Sequence, residues 1–369
     1  MNRPEAGASL RATMSTTAVA AENHLGLLGI EFIEFASPEP DKLHRLFLAV
    51  GFSRTMRHHE RAVDLYEQGE MRVLLNREPK SVASDFKAEH GPCLCSMAWR
   101  FASPEDAIAK APARGAEVTT KGDYAQNGAP LAAIVGIGGS LIYAVGGRTP
   151  GDVRLYESLG FVKLDAPDLV AAKGFTRLDH LTNNVYKGTM AQWASFYKDV
   201  FGFTEVRYFD IRGAKTGLTS YALRSPCGSF CIPINEGTEK KSQINEYLDE
   251  YKGPGVQHLA FESTDILASL RALEGAPLEF LDIDGEYYDT VFERVPNVTE
   301  DRAELRARCV LVDGDDEGYL LQIFTKNLIG PIFVEIIQRK NHLAFGEGNF
   351  GALFRSIERD QEKRGYLEK

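Results

Sequence analysis

His180 stands in "TRLDHLTNN", His258 in "GPGVQHLAFES" and Glu335 in "LLQIFTKNLIGPIFVEIIQR". Each lies in a run whose apolar and β-branched residues read as a strand. Singly, each has an ordinary explanation. A histidine in an apolar strand is most often a satisfied core residue, and a buried glutamate usually pairs with a cation, here Arg339 or Lys340. Together they have another: two imidazoles and one carboxylate, from separate strands, compose a facial triad for Fe(II). Three ligands on one face leave room for an anionic bidentate 2-oxo acid and O₂, which a closed four-ligand site could not hold. The ligands alone leave iron, manganese, cobalt and zinc undecided.

Such a triad needs a curved scaffold, and the chain carries an internal repeat that supplies one. "LGLLGIEFIEFASPEPDKLHRLFLAVGFSRT" reads strand, turn, amphipathic helix, strand, and "FTRLDHLTNNVYKGTMAQWASFYKDVFGFTEV" repeats that order. "GPCLCSMAWRFASPEDAIAKAPARGAEV" parallels "GPGVQHLAFESTDILASLRALEGAPL", each a strand followed by a helix-start signal, Ser103-Pro104-Glu105 or Ser263-Thr264-Asp265. Alternating runs such as "VDLYEQGEMRVLLN" and "TSYALRSPCGSFCIPIN" read as hairpin strands. The expected fold is α+β, with duplicated βαβββ modules. An N-terminal domain without metal ligands spans 23–165 and a catalytic domain 175–369, joined near "LDAPDLVAAKGF". Aligned by pattern, His180 falls opposite Glu31, His258 opposite Ser96, and Glu335 opposite the segment containing Tyr143, so one metal per chain is expected.

The totals set limits. At 369 residues, 44% hydrophobic and 25% charged, the chain has the make-up of a soluble globular protein of about two domains. A net charge of −10 argues against nucleic acid or an anionic membrane as partner. No apolar run is long enough to span a bilayer. The opening residues 1–22 lack the apolar region of a secretory signal and read as a disordered leader. Five cysteines without regular spacing give no disulfide framework, and a reducing cytoplasm is the simplest location. His58-His59 reads as exposed hairpin, the "DGDDEG" segment at 313–318 as a turn, and His342 as loop.

The repeated βαβββ grammar resembles the vicinal-oxygen-chelate fold, in which paired modules curl into open half-barrels around a metal. More specifically, "LDHLTNNV", "PINE…KKSQI", "GVQHLAF", "LLQIFTK", "FVEIIQR" and "FGEGNFGALFRSIERDQ" resemble the ordered motifs of the 4-hydroxyphenylpyruvate dioxygenase family across the C-terminal half. "GPCLCSMAWR" and "KSVASDF" fit that family's N-terminal half more loosely. The resemblance implies an enzyme of tyrosine breakdown that converts 4-hydroxyphenylpyruvate and O₂ to homogentisate and CO₂. It carries His180, His258 and Glu335 over as ligands of one Fe(II). It places Ser220, Asn235, Gln257 and Gln322 in the polar network at the reacting centre. Gln243, Pro233, Phe324, Phe333, Phe345, Asn349 and Phe350 would contact the substrate. Alternation agrees in part: Phe333 with Glu335, Gln322 with Phe324 and Pro233 with Asn235 share faces, and Ser220 fits as a hairpin partner of Asn235. A homo-oligomer, dimer or tetramer, built through the N-terminal half is expected.

The tail adds a cover. Phe350, Leu353, Phe354 and Ile357 form one apolar stripe of a helix expected at about 349–365, with Gly346 and Gly348 as hinge. A helix over the barrel mouth would keep a reactive oxidant from water. Three other readings use the same residues: hydroxymandelate synthase, an extradiol ring-cleaving dioxygenase, and a non-catalytic small-molecule binder.

Overall fold

The computed structural model describes residues 22–147, 149–213 and 215–367. Of the leader expected over 1–22, all but Glu22 lies outside the described residues. Four βαβββ modules pair into two sheets. The first comprises strand Leu27–Ala36, helix Pro40–Ala49 and strands Ser53–His58, Val63–Gln68 and Met71–Asn76. The second comprises strand Cys93–Phe101, helix Pro104–Lys110 and short strands ending in Leu141–Val145. Their opening strands lie antiparallel side by side, and each opening strand also pairs in parallel with the last strand of its own module. Strand Phe161–Asp168 then closes the edge beside Ser53–His58, and residues 169–174 cross to the second sheet.

The second sheet repeats this plan. Strand Phe175–Val185 pairs antiparallel with Gly255–Ser263; the former lies parallel to Cys231–Gly237 and the latter to Phe333–Lys340. The outer strands are Thr204–Arg212 and Gly217–Arg224 on one side, Tyr319–Phe324 and Leu311–Gly314 on the other. Here the fourth module departs from the simple pattern, because helices Gly285–Arg294 and Arg302–Ala307 are inserted before Leu311–Gly314. Hydroxyl and carboxylate caps start the helices of the second and fourth modules: Ser103 accepts from the Asp106 amide and Asp265 from the Ala268 amide.

Because successive side chains alternate across a strand, each sheet has one cupped face and one outer face. The outer faces meet: Trp99 packs against Phe201, Phe203 and Phe230, and Phe52 against Phe261. The cupped face of the N-terminal sheet is filled by its own side chains, among them Phe32, Leu65, Tyr124, Tyr143 and Phe161. The cup of the second sheet is covered by the C-terminal helix Phe350–Lys363. Among the described residues, no helix is long and apolar enough to cross a membrane.

Candidate metal centre and pocket

In the C-terminal sheet, Ala260 is the register partner of His180 on one side and Glu335 on the other. The ladder thus sets an imidazole and a carboxylate on strands two apart, about 10 Å between backbones, with only a methyl group between them. His258 lies two residues along the middle strand on the same face, beside Thr182 and Phe333. All three polar groups lean over Ala260. His180 Nε2 is 3.2 Å from Glu335 Oε2 and 3.3 Å from His258 Nε2, and His258 Nε2 is 3.6 Å from Glu335 Oε2. Cis donors on an ion at about 2.1 Å lie about 3 Å apart, so the triangle has the size of one coordination face.

The hydrogen bonds behind each ligand settle what that triangle can hold. A carboxylate only accepts, so His180 Nδ1–H donates to Asp179 Oδ2 at 2.8 Å and leaves Nε2 with a lone pair. His258 Nδ1 meets Gln257 Oε1 at 3.1 Å, with the same result for its Nε2. Glu335 Oε1 takes the Gln322 amide at 2.9 Å, while Oε2 faces the histidines. Three lone pairs converge with a single hydroxyl, Thr182 Oγ1 at 3.0 Å from His258 Nε2, near them. Such an arrangement fits a cation, and a partner on the outer atom of each ligand is what metal sites commonly show. Among the described residues Glu335 has no lysine or arginine partner of the kind its sequence allowed. Arg339 pairs with Asp179, and Lys340, on the other face of the strand, pairs with Glu300.

The field also draws positive charge to this point. Burial works against charge on His180, yet Glu335 and Asp179 outweigh it and hold the imidazole up to about 9, so a cation binding there displaces a proton from Nε2. Burial and the His180 charge push His258 well below its usual range. Burial is outweighed again at Asp179, whose carboxyl Arg339 and His180 hold well below the usual carboxylate range.

Above the triad lies a cavity. Ser220, Pro233, Asn235, Gln243, Gln257, Phe324, Phe333, Phe345 and Phe350 line it with the three ligands. Ser220 and Asn235 are direct register partners. Phe333 stacks on His258, centroids 4.7 Å apart, and Phe345 meets His180 edge-on at 5.8 Å. Gln322 and Asn349 are not on this wall. They stand behind Glu335 as a relay: Asn349 Nδ2 donates to Gln322 Oε1 at 3.0 Å, and the Tyr287 hydroxyl to Asn349 Oδ1 at 2.7 Å. The wall also includes residues that motif reading left out. Thr182 was open to discovery by alternation from His180, and Phe209 and Ile211 by their alternation with Asp210 and Arg212 on an otherwise exposed edge strand. Leu353, Phe354 and Ile357 of the tail helix complete it.

The N-terminal cup occupies the same register with different chemistry. Phe32, Ala98 and Tyr143 form the row equivalent to His180, Ala260 and Glu335. Pattern alignment had set Glu31 opposite His180; the ladder sets Phe32 there, and Glu31 faces outward to Arg100 and Tyr156. Both opening strands bulge at the same place, Ile30–Phe32 and Leu178–His180, so the pattern count is simply one residue out along the strand. Ser96 does match His258, and Tyr143 matches Glu335. Glu34, the match of Thr182, is tied internally, accepting from Ser96 Oγ, from Tyr124 at 2.5 Å and from Asn76 at 2.8 Å. His58 is likewise not the surface residue its neighbours implied. It is buried against Phe161 and stacked on exposed His59.

Known proteins share this organisation. The family model described as "Hydroxyphenylpyruvate dioxygenase, HPPD, N-terminal" matches residues 21–158, and that of the "Glyoxalase/Bleomycin resistance protein/Dioxygenase superfamily" matches 177–307. The chain is 56% identical to Protein MelA of Shewanella colwelliana, over 94% of this chain and 99% of that one. It is 44% identical to 4-hydroxyphenylpyruvate dioxygenase of Pseudomonas sp. and 41% to that of Legionella pneumophila, each over 94% of this chain and 98% of the relative. Among solved structures, a mutant of 4-hydroxymandelate synthase from Streptomyces coelicolor superposes with a TM-score of 0.78 at 25% identity, covering 91% of this chain and 99% of that one. A xylose isomerase-like TIM barrel/4-hydroxyphenylpyruvate dioxygenase fusion protein gives 0.75 at 30% identity, covering 90% and 53%. With paired βαβββ modules, a His–His–Glu group able to hold a metal and relatives of this identity along nearly its whole length, the chain belongs to the 4-hydroxyphenylpyruvate dioxygenase family of the vicinal-oxygen-chelate superfamily.

Proposed function

We propose that this chain is an Fe(II)-dependent 4-hydroxyphenylpyruvate dioxygenase, taking 4-hydroxyphenylpyruvate and O₂ to homogentisate and CO₂ in tyrosine breakdown. The observation that carries the reading is the contrast between the two ends of the pocket. One end presents the three donors; the other presents aromatic rings with neutral amides and a hydroxyl. Among the described residues lining it there is no lysine or arginine. A co-substrate with a second carboxylate, such as 2-oxoglutarate, would therefore find no counter-charge at the far end. A 2-oxo acid ending in a phenol needs none. Fe(II) held by His180, His258 and Glu335 would neutralise the 2-oxo acid head and provide a place for O₂.

The chain's own groups do the rest. Phe324 and Phe350 offer ring faces and edges to the phenol. Ser220, Asn235 and Gln243 offer donors and acceptors to its hydroxyl without adding charge that would compete for the head group. Gln257 and Gln322 fix the orientation of His258 and Glu335. The tail helix closes the cup and excludes water.

Anaerobic loading with Fe(II), addition of 4-hydroxyphenylpyruvate, then air and chromatographic identification of the product tests the reading. Homogentisate supports it. Benzylic hydroxylation, which the likeness to hydroxymandelate synthase keeps as second reading, would yield 4-hydroxymandelate and overturn the first. An iron-loaded protein that leaves the substrate untouched would overturn both.

A further inference from the structure

Arg339 is four residues past Glu335 on the same strand and face, yet it touches neither Glu335 nor the pocket. Its guanidinium makes four hydrogen bonds in two directions. Nε donates to Asp179 Oδ1 at 2.7 Å and Nη2 to Oδ2 at 2.8 Å in a bidentate fork, and Oδ2 is also the atom that accepts His180 Nδ1–H. Nη1 turns the other way, donating to the carbonyls of His342 at 3.1 Å and Ala344 at 2.6 Å. Those carbonyls belong to the turn after the strand, where Asn341 has a left-handed φ of 53°. The turn delivers Phe345 edge-on to His180 and the Phe345 carbonyl to Gln322. One planar cation therefore joins the far side of a metal ligand to the root of the covering tail. With side chains 10% and 8% exposed, Arg339 and Asp179 are screened little by solvent.

We propose that Arg339 is a positioning residue that locks the His180 imidazole and the tail root, residues 342–349, into one frame, so that ion binding at the triad and ordering of the tail root are a single coupled event. The fork geometry matters. Asp179 fixes the imidazole only while both its oxygens are held, and an ammonium offers no planar pair of donors for a carboxylate with a third aimed at the turn. An ion held on His180 Nε2 fixes the imidazole, the imidazole fixes Asp179 through Oδ2, and the fork passes that constraint to the arginine that caps the turn. The inference rests on the metal-centre reading above.

The test uses the full chain, its R339K and D179N variants, and Co(II) as the probe metal. Affinity is measured by competition with a chromophoric chelator, ligand geometry by the visible Co(II) bands, and order in 342–349 by amide hydrogen exchange with and without Co(II). In the wild type, Co(II) should slow exchange across 342–349. In R339K the affinity should fall about 10–100-fold, the bands should shift, and Co(II) should no longer slow that exchange. D179N should behave alike, and the double variant should lose no more than the worse single one, since both cut the same chain of contacts. Wild-type affinity and bands in R339K would overturn the proposal, as would a tail root that still responds to Co(II) in either variant. A wild-type protein that binds no Co(II) would instead overturn the metal-centre reading, so the two failures are distinguishable.

Discussion

The cover over the pocket is held at several points, and the most buried of its ionic ties can be cut. Glu358 is 5% exposed on the inner side of helix Phe350–Lys363. Its Oε1 accepts from the Thr216 amide at 2.9 Å, the Lys215 amide at 3.0 Å and the Thr216 hydroxyl at 3.0 Å, all on the turn between strands Thr204–Arg212 and Gly217–Arg224. Hydrogen bonds to a charged group contribute about 1.5–3 kcal/mol each, and three would sum to about 5–9. The sum overstates the loss, because the freed donors reach water once the helix lifts. We expect Glu358→Ala to weaken docking by about 3 kcal/mol, a rise of roughly 100-fold in the undocked fraction. Glu358→Gln keeps the shape but leaves a neutral acceptor at about half the strength, so roughly 10-fold is expected. Hydrogen exchange reads this directly: amides in Phe350–Lys363 should lose protection while those in Gly255–Ser263 keep theirs. Unchanged exchange in the alanine variant would refute the clamp. An equal loss of protection in helix and core strand would show that the helix is part of one cooperative core and not a separately docked cover.

Three further outcomes follow from the packing. Ala260→Val adds two methyl groups between His180 and Glu335; at about 1–3 kcal/mol of overpacking, Co(II) affinity measured by chelator competition should fall by about 5- to 150-fold, and an unchanged affinity would mean that the ion does not lie over that strand. Gly346→Ala meets both a φ of +79° and a Cβ 2.0 Å from Gln322 Oε1, so about 1–2 kcal/mol of backbone strain should lower Tm, and the displaced amide should weaken metal binding in the same titration; a variant matching the wild type in both would remove the Gln322 relay from the account. Burial raises the Glu34 carboxyl above its ordinary 4.5, so the folded protein binds more protons than the unfolded one in that window and stability must fall as pH climbs from 4.5 through the raised value. Urea unfolding of Glu34→Gln should show a flatter decline, by at most about 1.4 kcal/mol per pH unit, and an identical slope would sink the assignment.

The triad was legible because it obeys simple counting. His180, His258 and Glu335 each interrupt a strand pattern, and strands of alternating residues leave few ways to place them. The module order was legible for the same reason, since hairpins and helix caps repeat. Register was less so. Apolar alternation matched His180 to Glu31, one residue short of Phe32, because the two strands share a ladder, bulge included, but not an apolar pattern. Partners of buried charges were illegible as well. Sequence proximity offered Arg339 to Glu335, whereas the fold gave it to Asp179 from another strand, 160 positions away. Gln322 shares a face with Phe324 in the sequence pattern and the family resemblance set Asn349 against the substrate, yet the two meet behind the carboxylate instead. Ala260 carried no signal at all, because a small residue announces itself only once its neighbours on both sides are known.

The three groups that could hold a metal, with the root that backs them, are all in place by residue 349, while the helix that roofs them begins at Phe350. A polypeptide cut short just past Asn349, by a premature stop or a protease, would lose its roof and keep its three donors. Loaded with the iron proposed above, it would be a more hazardous object than an inactive protein: a redox ion open to the surrounding medium, with Phe333 and the two imidazoles as the nearest things to burn. The last turns of the chain thus serve the survival of the molecule as much as its turnover.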